Sequence, residues 1–254
     1  MGNISVFERV EKKYQMDKEQ YRAFLEGAAD KIHMDEYGRH TIRNIYYDTT
    51  DYELIRHSLD KPKYKEKLRL RGYGEITEES TVFLEIKKKY KGVVYKRRTP
   101  LSLGEAKRYL EDGILPQNCD QIMREIDYFM GFYRPEPKLY LAYDREAYVG
   151  NEDEDLRITI DEHIRSRRTD GIELGADEGC RMLNAGRYLM EIKVPMAYPI
   201  WLARLLSELR IYPVSFSKYG AVYSEAVLSE NRNKSENRQK SEEKKLCLQV
   251  YSAV

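Results

Sequence analysis

Basic residues alternate with leucines in the segment YKEKLRLRGYG, residues 64–74. In an extended strand alternate side chains point to opposite faces, so Lys67, Arg69 and Arg71 share one face and the leucines share the other. Arginine can hold two phosphate or carboxylate oxygens at once, whereas lysine acts as a point charge. If the leucine face lies on a flat half-exposed sheet, the cations are solvated; if the sheet curls around the cationic face, they line a tunnel.

The same division into a charged and an apolar face recurs on five further segments. Together the six charged faces carry ten cations and four carboxylates: Arg9, Glu11, Lys13, Lys67, Arg69, Arg71, Glu85, Lys87, Lys89, Arg145, Arg157, Asp161, Glu191 and Lys193. Like charges on neighbouring strands destabilise a sheet, so a face this rich in Arg and Lys indicates a bound polyanion. For any single strand a half-exposed sheet with a solvated charged face remains the alternative.

Two carboxylates on these faces could bind a metal ion. Glu191 and Glu11 would be oxygen ligands for a hard divalent cation, Mg²⁺ or Mn²⁺, that bridges to phosphate oxygens. The four histidines show no spacing typical of a metal site or a catalytic triad. The sequence therefore indicates phosphate chemistry carried by cations and a metal.

The polyanion that fits best is a phosphate chain without bases. A nucleic-acid groove interleaves basic residues with aromatic residues that stack on bases, but only Tyr73 and Tyr143 share the charged faces. The sequence contains neither GxxxxGK[ST] nor a strand-borne GxGxxG. We expect no nucleic-acid partner.

The elements that must position these residues are mostly strands. Extended segments are predicted at about 6–14, 41–48, 64–73, 81–90, 93–99, 137–149, 156–164 and 187–194. Because strands outnumber helices and short loops join most of them, we predict an α+β fold: an antiparallel β-barrel tunnel with a basic interior and helices packed on the outside.

Helix starts are predicted from capping residues. Asp17 opens one helix, while Thr50 with Glu53 and Ser102 with Glu105 form the pattern of a capping box. Gly113 is expected to end the third of these helices. Further helices are predicted at about 118–130, with Gly131 behind it, at 199–210 and at 217–229.

Composition places limits on the class of protein. Lys and Arg number 44 against 43 Asp and Glu, so no global charge attracts nucleic acid or anionic lipid. The three cysteines are widely spaced and form no CxxC pair, which favours a reducing cytoplasm. No apolar run approaches the roughly 20 residues that span a bilayer, so we expect no direct membrane insertion. We predict one domain over residues 1–229 and a polar, disordered tail over 230–254.

The order of these motifs resembles a known family. RVEKKY, KLRLRGYG, FLEIKKKYKGVVYKRR, AYDREAY with LRITID, LMEIKV and FSKYG look like the polyphosphate polymerase domain of the vacuolar transporter chaperone (VTC) family, within the triphosphate tunnel metalloenzymes. The resemblance covers residues 6–225. It implies a tunnel that binds a nucleoside triphosphate, by default ATP, with a divalent metal and moves its terminal phosphate onto polyphosphate. It also leaves room for a membrane partner that accepts the product.

The resemblance also implies roles for individual residues. The expected catalytic residues are Lys218, Arg69, Arg71 and Lys87. The expected substrate-binding residues are Lys13, Lys96, Arg145, Arg157 and Ser217, to which the charged faces add Tyr143 and Lys193. Glu191 matches the metal-binding glutamate. Relatives often have a lysine where this chain has Ser215, so one phosphate contact differs.

Two other functions fit the same cations. A tunnel hydrolase would cleave inorganic triphosphate or nucleoside triphosphates, but such enzymes usually begin with ExExK, whereas this chain has Arg9, Glu11 and Lys13 at those positions. Fewer carboxylates make a weaker site for a second metal that activates water. The third possibility is a non-catalytic polyphosphate-binding module.

Overall fold

Ten strands form one antiparallel sheet in this computed structural model, which describes residues 10–117, 119–175, 177–183 and 185–229. The strands are β1 Val10–Met16, β2 Ile32–Asp48, β3 Tyr64–Tyr73, β4 Thr81–Tyr90, β5 Val93–Ser102, β6 Glu136–Gly150, β7 Arg157–Arg168, β8 Arg181–Met182, β9 Tyr188–Val194 and β10 Pro213–Val214. Their order is β10-β1-β9-β7-β6-β2-β3-β4-β5, with β8 paired to β7. The predicted strand residues 6–9 and the predicted tail lie outside the described residues.

The chain divides into two compact units, Met1–Phe216 and Ser217–Val254. The first unit contains the sheet and five helices: α1 Lys18–Ala28, α2 Glu53–Leu59, α3 Leu103–Asp112, α4 Gln121–Tyr133 and α5 Ile200–Glu208. The second unit contains a helix over 218–229, here α6. No helix in the described part of the chain is long and apolar enough to cross a membrane.

The helices of the first unit cover the apolar face of the sheet in two places. Helices α2, α3 and α4 pack on β2–β5 around residues such as Leu68, Leu84 and Met123. Helices α1 and α5 pack on β1, β7 and β9 around residues such as Phe24 and Ile192. The leucine face of β3 therefore lies on the outside of the sheet, where helices bury it. The charged face points inward, as predicted.

The predicted α+β tunnel fold with a large antiparallel sheet is confirmed, although the sheet does not close completely. Strands β10 and β5 stand at the two ends of the order, and no ladder joins them among the described residues. The sheet is nevertheless curved. Five strands separate β1 from β4, yet Glu11, Lys13 and Glu191 lie near enough to Lys87 for their charges to influence the pKa of its ammonium. The inner faces of the first and last strands of the order thus face each other across a bore. This bore is open along one side, between β10 and β5.

Two predicted helix caps are confirmed. The Asp17 carboxylate accepts from the Gln20 backbone N–H in a capping box before α1. The Ser102–Glu105 box precedes α3, and Gly113 ends that helix with a φ of 73°, a left-handed conformation that glycine adopts without strain. Helix α4 differs from its predicted bounds, since it runs past Gly131 to Tyr133.

The predicted capping box of α2 is wrong. Asp48, at the end of β2, accepts from the backbone N–H groups of Thr49, Leu54 and Ile55 and so caps the helix from six residues upstream. Thr50 instead donates its hydroxyl proton to Glu136 on β6. A fully buried carboxylate with several N–H donors satisfies the first turn better than an exposed hydroxyl could.

We expect Asp48→Ala to lower the free energy of unfolding by about 2 kcal/mol, because buried N–H groups of α2 would lose their acceptor. Thr50→Ala is the matched control, and it should cost less than about 0.5 kcal/mol. Urea unfolding followed by circular dichroism measures both changes. Equal losses in the two variants would contradict the assignment of the cap to Asp48.

Candidate active site

The register of the strands brings the predicted cations together on the inner face. Arg69 lies opposite Glu85 of β4 and Tyr46 of β2, and Arg71 lies opposite Asn44 of β2. Lys87 pairs with Lys96 across the β4–β5 ladder. Residues directly opposite each other on paired strands share a face, so this set projects into the bore.

Glu85 is the centre of one cluster. Its side chain is 1% exposed, and its Oε2 accepts from Nε and Nη2 of Arg69 at 2.8 and 2.6 Å. Lys96 Nζ lies 3.0 Å from the other oxygen, and Arg71 Nε lies 3.8 Å from Oε2. Burial raises the pKa of Glu85, but Arg69, Arg71 and Lys96 more than offset this and lower it to about 2. The carboxylate is therefore ionised and fixes the cations around it.

Arg71 is held from a second direction. Its Nε donates to Asn44 Oδ1 at 3.0 Å, and its Nη2 donates to the Tyr143 hydroxyl at 3.4 Å. Asn44 is fully buried and donates its own amide to the carbonyl of Leu141. Arg71, a residue only 6% exposed, is thus also oriented by neutral groups.

Arg145 and Asp161 form a second pair, on β6 and β7. Arg145 donates from Nε and Nη2 to the two oxygens of Asp161 at 2.6 and 2.8 Å. The Tyr143 ring lies under the guanidinium, 5.2 Å from its carbon. Because Tyr143 is only 3% exposed, it stands behind Arg71 and Arg145.

Glu191 lies at the junction of β9 and β1. Lys193 Nζ lies 2.6 Å from one of its oxygens, and Lys13 Nζ lies 3.8 Å from the other. Lys13 also donates to the Phe216 carbonyl at 3.2 Å. Burial raises the pKa of Glu191, but Lys193, Lys13 and Arg145 more than offset this and lower it to about 2. The side chain retains 17% exposure, so it is reachable from the bore.

Glu191 and Glu11 would supply part of the ligand set of a divalent metal, and phosphate oxygens of a substrate would supply other ligands. Glu11 is exposed on the same face of β1 as Lys13, and no group of three or more His, Cys, Asp or Glu in the described ranges could hold a metal alone. Mg²⁺ often binds to one or two carboxylates and completes its shell with phosphates and water. The Thr159 hydroxyl, opposite Glu191 in the β7–β9 ladder, is buried without a hydrogen-bond partner among the described residues.

Three further cations reach toward the open part of the bore. Lys87 and Arg157 are accessible to water, and Lys67 is partly buried. Burial lowers the pKa of Lys87 even though water reaches the side chain. Both properties are expected of a side chain that projects into a water-filled bore walled by protein.

The predicted Ser-Lys pair belongs to the second unit. Ser217 caps α6: its hydroxyl accepts from the Gly220 backbone N–H at 3.2 Å, and its carbonyl accepts from that of Ala221. Lys218 is the first residue of the helix. Their expected contacts with phosphate stay predictions.

The titratable groups report a positive potential in the bore. Burial raises the pKa of Tyr46, yet Arg69 and Arg71 more than offset this and lower it to about 8. Burial lowers the pKa of Lys67 to about 8, and nearby lysines contribute in the same direction. Burial also lowers the pKa of Lys96 to about 8, against the attraction of Glu85. The lowered pKa of Tyr46 is the response to nearby positive charge, whereas burial is the main cause of the lowered pKa of the two lysines.

Several residues of the site were not predicted as such. Glu85 and Asp161 were assigned to the charged faces, but their part in fixing arginines was not foreseen. Asn44 and Tyr46 were missed because β2 carries no charged alternation. The signal that could have found them is register: each lies directly opposite an arginine of β3.

The model of the VTC domain family matches residues 8–227. The chain belongs to the VTC domain family. The resemblance to this family, drawn from the motifs, is thereby confirmed. The match begins two residues before β1 and ends within α6, so it includes every strand of the site.

Solved structures share the fold of this VTC domain. An adenylyl cyclase candidate from Hippeastrum with a dominant triphosphatase activity is 16% identical, with a TM-score of 0.53 over 85% of this chain and 95% of that one. An adenylate cyclase candidate from Bacillus halodurans is 18% identical, with a TM-score of 0.50 over 82% of this chain and 93% of that one. At these identities the likeness shows the fold alone. No curated protein matches the sequence.

We expect the affinity for inorganic tripolyphosphate to fall as pH rises through about 8. Lys67 and Lys96 lose their protons near that pH, whereas a bound polyanion stabilises the ammonium forms. Between about pH 7 and 9 the deprotonation of each lysine should weaken tripolyphosphate binding about tenfold. Within this range, binding should be accompanied by proton uptake at both lysines. Titration calorimetry in buffers of different ionisation enthalpy measures both effects. Lys67→Met/Lys96→Met should flatten the pH profile, and a wild-type affinity that does not fall with pH would contradict the assignment.

Proposed function

We propose that this VTC domain is a nucleoside triphosphate-dependent polyphosphate polymerase. It transfers the terminal phosphate of ATP to a polyphosphate chain inside the cationic bore, with Mn²⁺ or Mg²⁺ as the metal. The observation that supports this most is the inward cationic face, on which buried carboxylates fix arginines while lysines remain to bind phosphate. Family membership supports the same conclusion.

Phosphoryl transfer passes through a loose transition state whose charge is spread over the equatorial oxygens. Catalysis then consists mainly of positioning and of cationic stabilisation. Arg69, Arg71 and Arg145 are oriented in advance by Glu85, Asn44 and Asp161, so they lose little freedom when they bind phosphate. We propose that Lys13, Lys87, Lys96, Arg157 and Lys193 neutralise the rest of the chain.

The acceptor of the proposed reaction is a phosphate oxygen that is already ionised. No side chain therefore has to remove a proton, and the proposed reaction gives no role to His40, which lies opposite Arg145 in the β2–β6 ladder. Glu191 and Glu11 would hold the metal together with phosphate oxygens. When bound, the metal would neutralise charge that develops on the transferred group.

A tunnel triphosphatase is the second candidate, because a protein of the same fold has a dominant triphosphatase activity. That reaction would use water as the acceptor in place of phosphate. A binding module without catalysis is the third. The three functions share one ligand-binding face. They differ in the acceptor of the terminal phosphate, which is a phosphate chain, water or none.

Incubation of the purified chain with ATP and Mn²⁺ distinguishes the three functions. The polymerase predicts phosphate chains that resolve as a ladder on a polyacrylamide gel. Free phosphate without chains would assign the triphosphatase. Tight polyphosphate binding with neither product would assign the module.

Lys87→Met should lower chain synthesis at least about tenfold with little change in thermal stability. The side chain is exposed in the bore, and the described residues place no carboxylate within 4.0 Å of it, so its removal breaks no ion pair of the fold. The matched control is Lys18→Met on α1, outside the bore, which should leave synthesis unchanged. Unchanged synthesis in Lys87→Met would remove this residue from the site.

Glu191→Gln should raise the Mn²⁺ concentration for half-maximal binding at least about tenfold, since an amide is a poorer ligand for a hard cation than a carboxylate. Electron paramagnetic resonance of Mn²⁺ in the presence of tripolyphosphate measures this without turnover. Glu26→Gln on α1 is the control. If both variants bind the metal as the wild type does, Glu191 is not a ligand.

A further inference from the structure

The hairpin of β4 and β5 ends in a basic tip. Its two turn residues, Lys91 and Gly92, have φ angles of 47° and 92°, as in the tight turns that join twisted strands. Residues 87–98, KKKYKGVVYKRR, contain seven lysines and arginines and no acidic residue. The proposed chemistry uses Lys87 and Lys96 of this segment and leaves the rest without a role.

The same tip exposes a run of apolar side chains. Tyr90, Val93, Val94 and Tyr95 are 48, 52, 44 and 53% exposed. Single exposed apolar residues are ordinary, but these four lie within six consecutive positions at the hairpin tip, Val94 on the face of Lys89 and the other three on the opposite face. Aliphatic and aromatic side chains on one hairpin tip indicate a partner that removes them from water.

The loop before β3 joins the hairpin tip. The rings of Tyr64 and Tyr90 meet edge to face with centroids 6.4 Å apart, and the Lys91 backbone N–H donates to the Lys63 carbonyl at 2.8 Å. Lys61 lies two residues earlier. We call this combined surface the basic aromatic tip; it consists of Lys61, Lys63, Tyr64 and residues 89–95.

Most cations at the tip have no carboxylate to neutralise them. Farther along the hairpin Lys88 and Arg97 pair with Glu125 on α4. For the four lysines of the basic aromatic tip, the described residues offer no carboxylate within 4.0 Å. Burial lowers the pKa of nearby Lys65, and Lys89, Lys61 and Lys87 lower it further. Crowded like charges of this kind are relieved when an anionic surface approaches.

The combination of charge and apolar area decides between possible partners. A phosphate chain has no apolar part, so it would neutralise the lysines and leave the two valines in water. A nucleic acid could stack on the tyrosines but offers little to adjacent aliphatic side chains. An anionic bilayer matches both: its headgroups attract lysines, tyrosine is favoured at the interface, and apolar side chains enter the acyl boundary.

We propose that the basic aromatic tip binds the surface of a membrane that contains anionic lipids. The tip lies on the surface and does not span the bilayer. Lysine ammonium groups contact lipid phosphates and carboxylates, while Tyr90, Val93, Val94 and Tyr95 enter the headgroup region. Because the tip is the end of β4 and β5, contact would hold the bore at the membrane.

Sedimentation of the full chain with unilamellar vesicles tests the proposal without any nucleotide. We expect binding to phosphatidylcholine vesicles that contain phosphatidylserine, and at least about tenfold weaker binding to phosphatidylcholine alone. Val93→Ser/Val94→Ser should weaken binding to the anionic vesicles at least about fivefold. Lys61→Gln/Lys63→Gln/Lys91→Gln should weaken it more than about tenfold and reduce its salt dependence.

Matched controls come from elsewhere on the chain. Ile114 and Leu115 are an adjacent aliphatic pair, 57 and 47% exposed, that follows α3, so Ile114→Ser/Leu115→Ser should bind as the wild type does. Lys18→Gln/Arg22→Gln/Arg204→Gln removes three exposed cations of α1 and α5 and should also leave binding unchanged. Thermal unfolding checks that every variant is folded.

Three outcomes would overturn the proposal. The first is failure of the wild type to bind anionic vesicles. The second is an unchanged affinity of Val93→Ser/Val94→Ser alongside a loss in the lysine variant, which would mean that charge alone holds the tip at the vesicle and that its valines do not enter the bilayer. The third is an equal loss in the control variants. The outcome is independent of the polymerase assay, since neither nucleotide nor turnover enters it.

Discussion

Carboxylate–arginine pairs on the inner face are the contacts on which the rest of the site depends. Each inward cation repels its neighbours on adjacent strands, and burial strengthens that repulsion. Glu85 offsets it on β3–β5 by holding Arg69 and Lys96, and Asp161 offsets it on β6 and β7 by holding Arg145. The paired arginines are therefore fixed in orientation, and the lysines with weaker or no pairing supply the excess positive charge. Without the buried carboxylates the cations of the bore would push the strands apart.

The site and the core of the fold share the same strands. Each inward arginine of β3 stands next to a leucine that is fully buried against α3 and α4 on the other face. Side chains on the inner face differ in how much stability their removal would cost. Lys87 projects into water and can be removed without leaving a buried group unpaired. Arg71 cannot, because its loss would leave the carbonyl oxygen of buried Asn44 without its donor.

Strict alternation made β3 and β4 predictable to the residue, at 64–73 and 81–90. The first half of β2, residues 32–40, was missed because its side chains are polar or exposed on both faces and carry no period of two. The α2 cap was misassigned because sequence spacing favours a near hydroxyl over Asp48, which reaches the helix only after β2 turns. The gap between β10 and β5 could not be predicted from the sequence either, because closure depends on the pairing of two strands that lie far apart along the chain. The inward direction of the charges followed from six strands that shared one pattern.

The carboxylates of the bore also bear on which acceptor the site can use. Water must lose a proton to attack phosphorus, so a hydrolase benefits from a carboxylate that is free to accept one. Glu85 and Glu191 both have a pKa near 2 and are held by cations, which makes them weak bases. Asp161 is engaged by both arms of Arg145. A phosphate acceptor needs no base and gains from every cation that surrounds it. The ionised state of Glu85 and Glu191 is therefore consistent with the proposed phosphate acceptor.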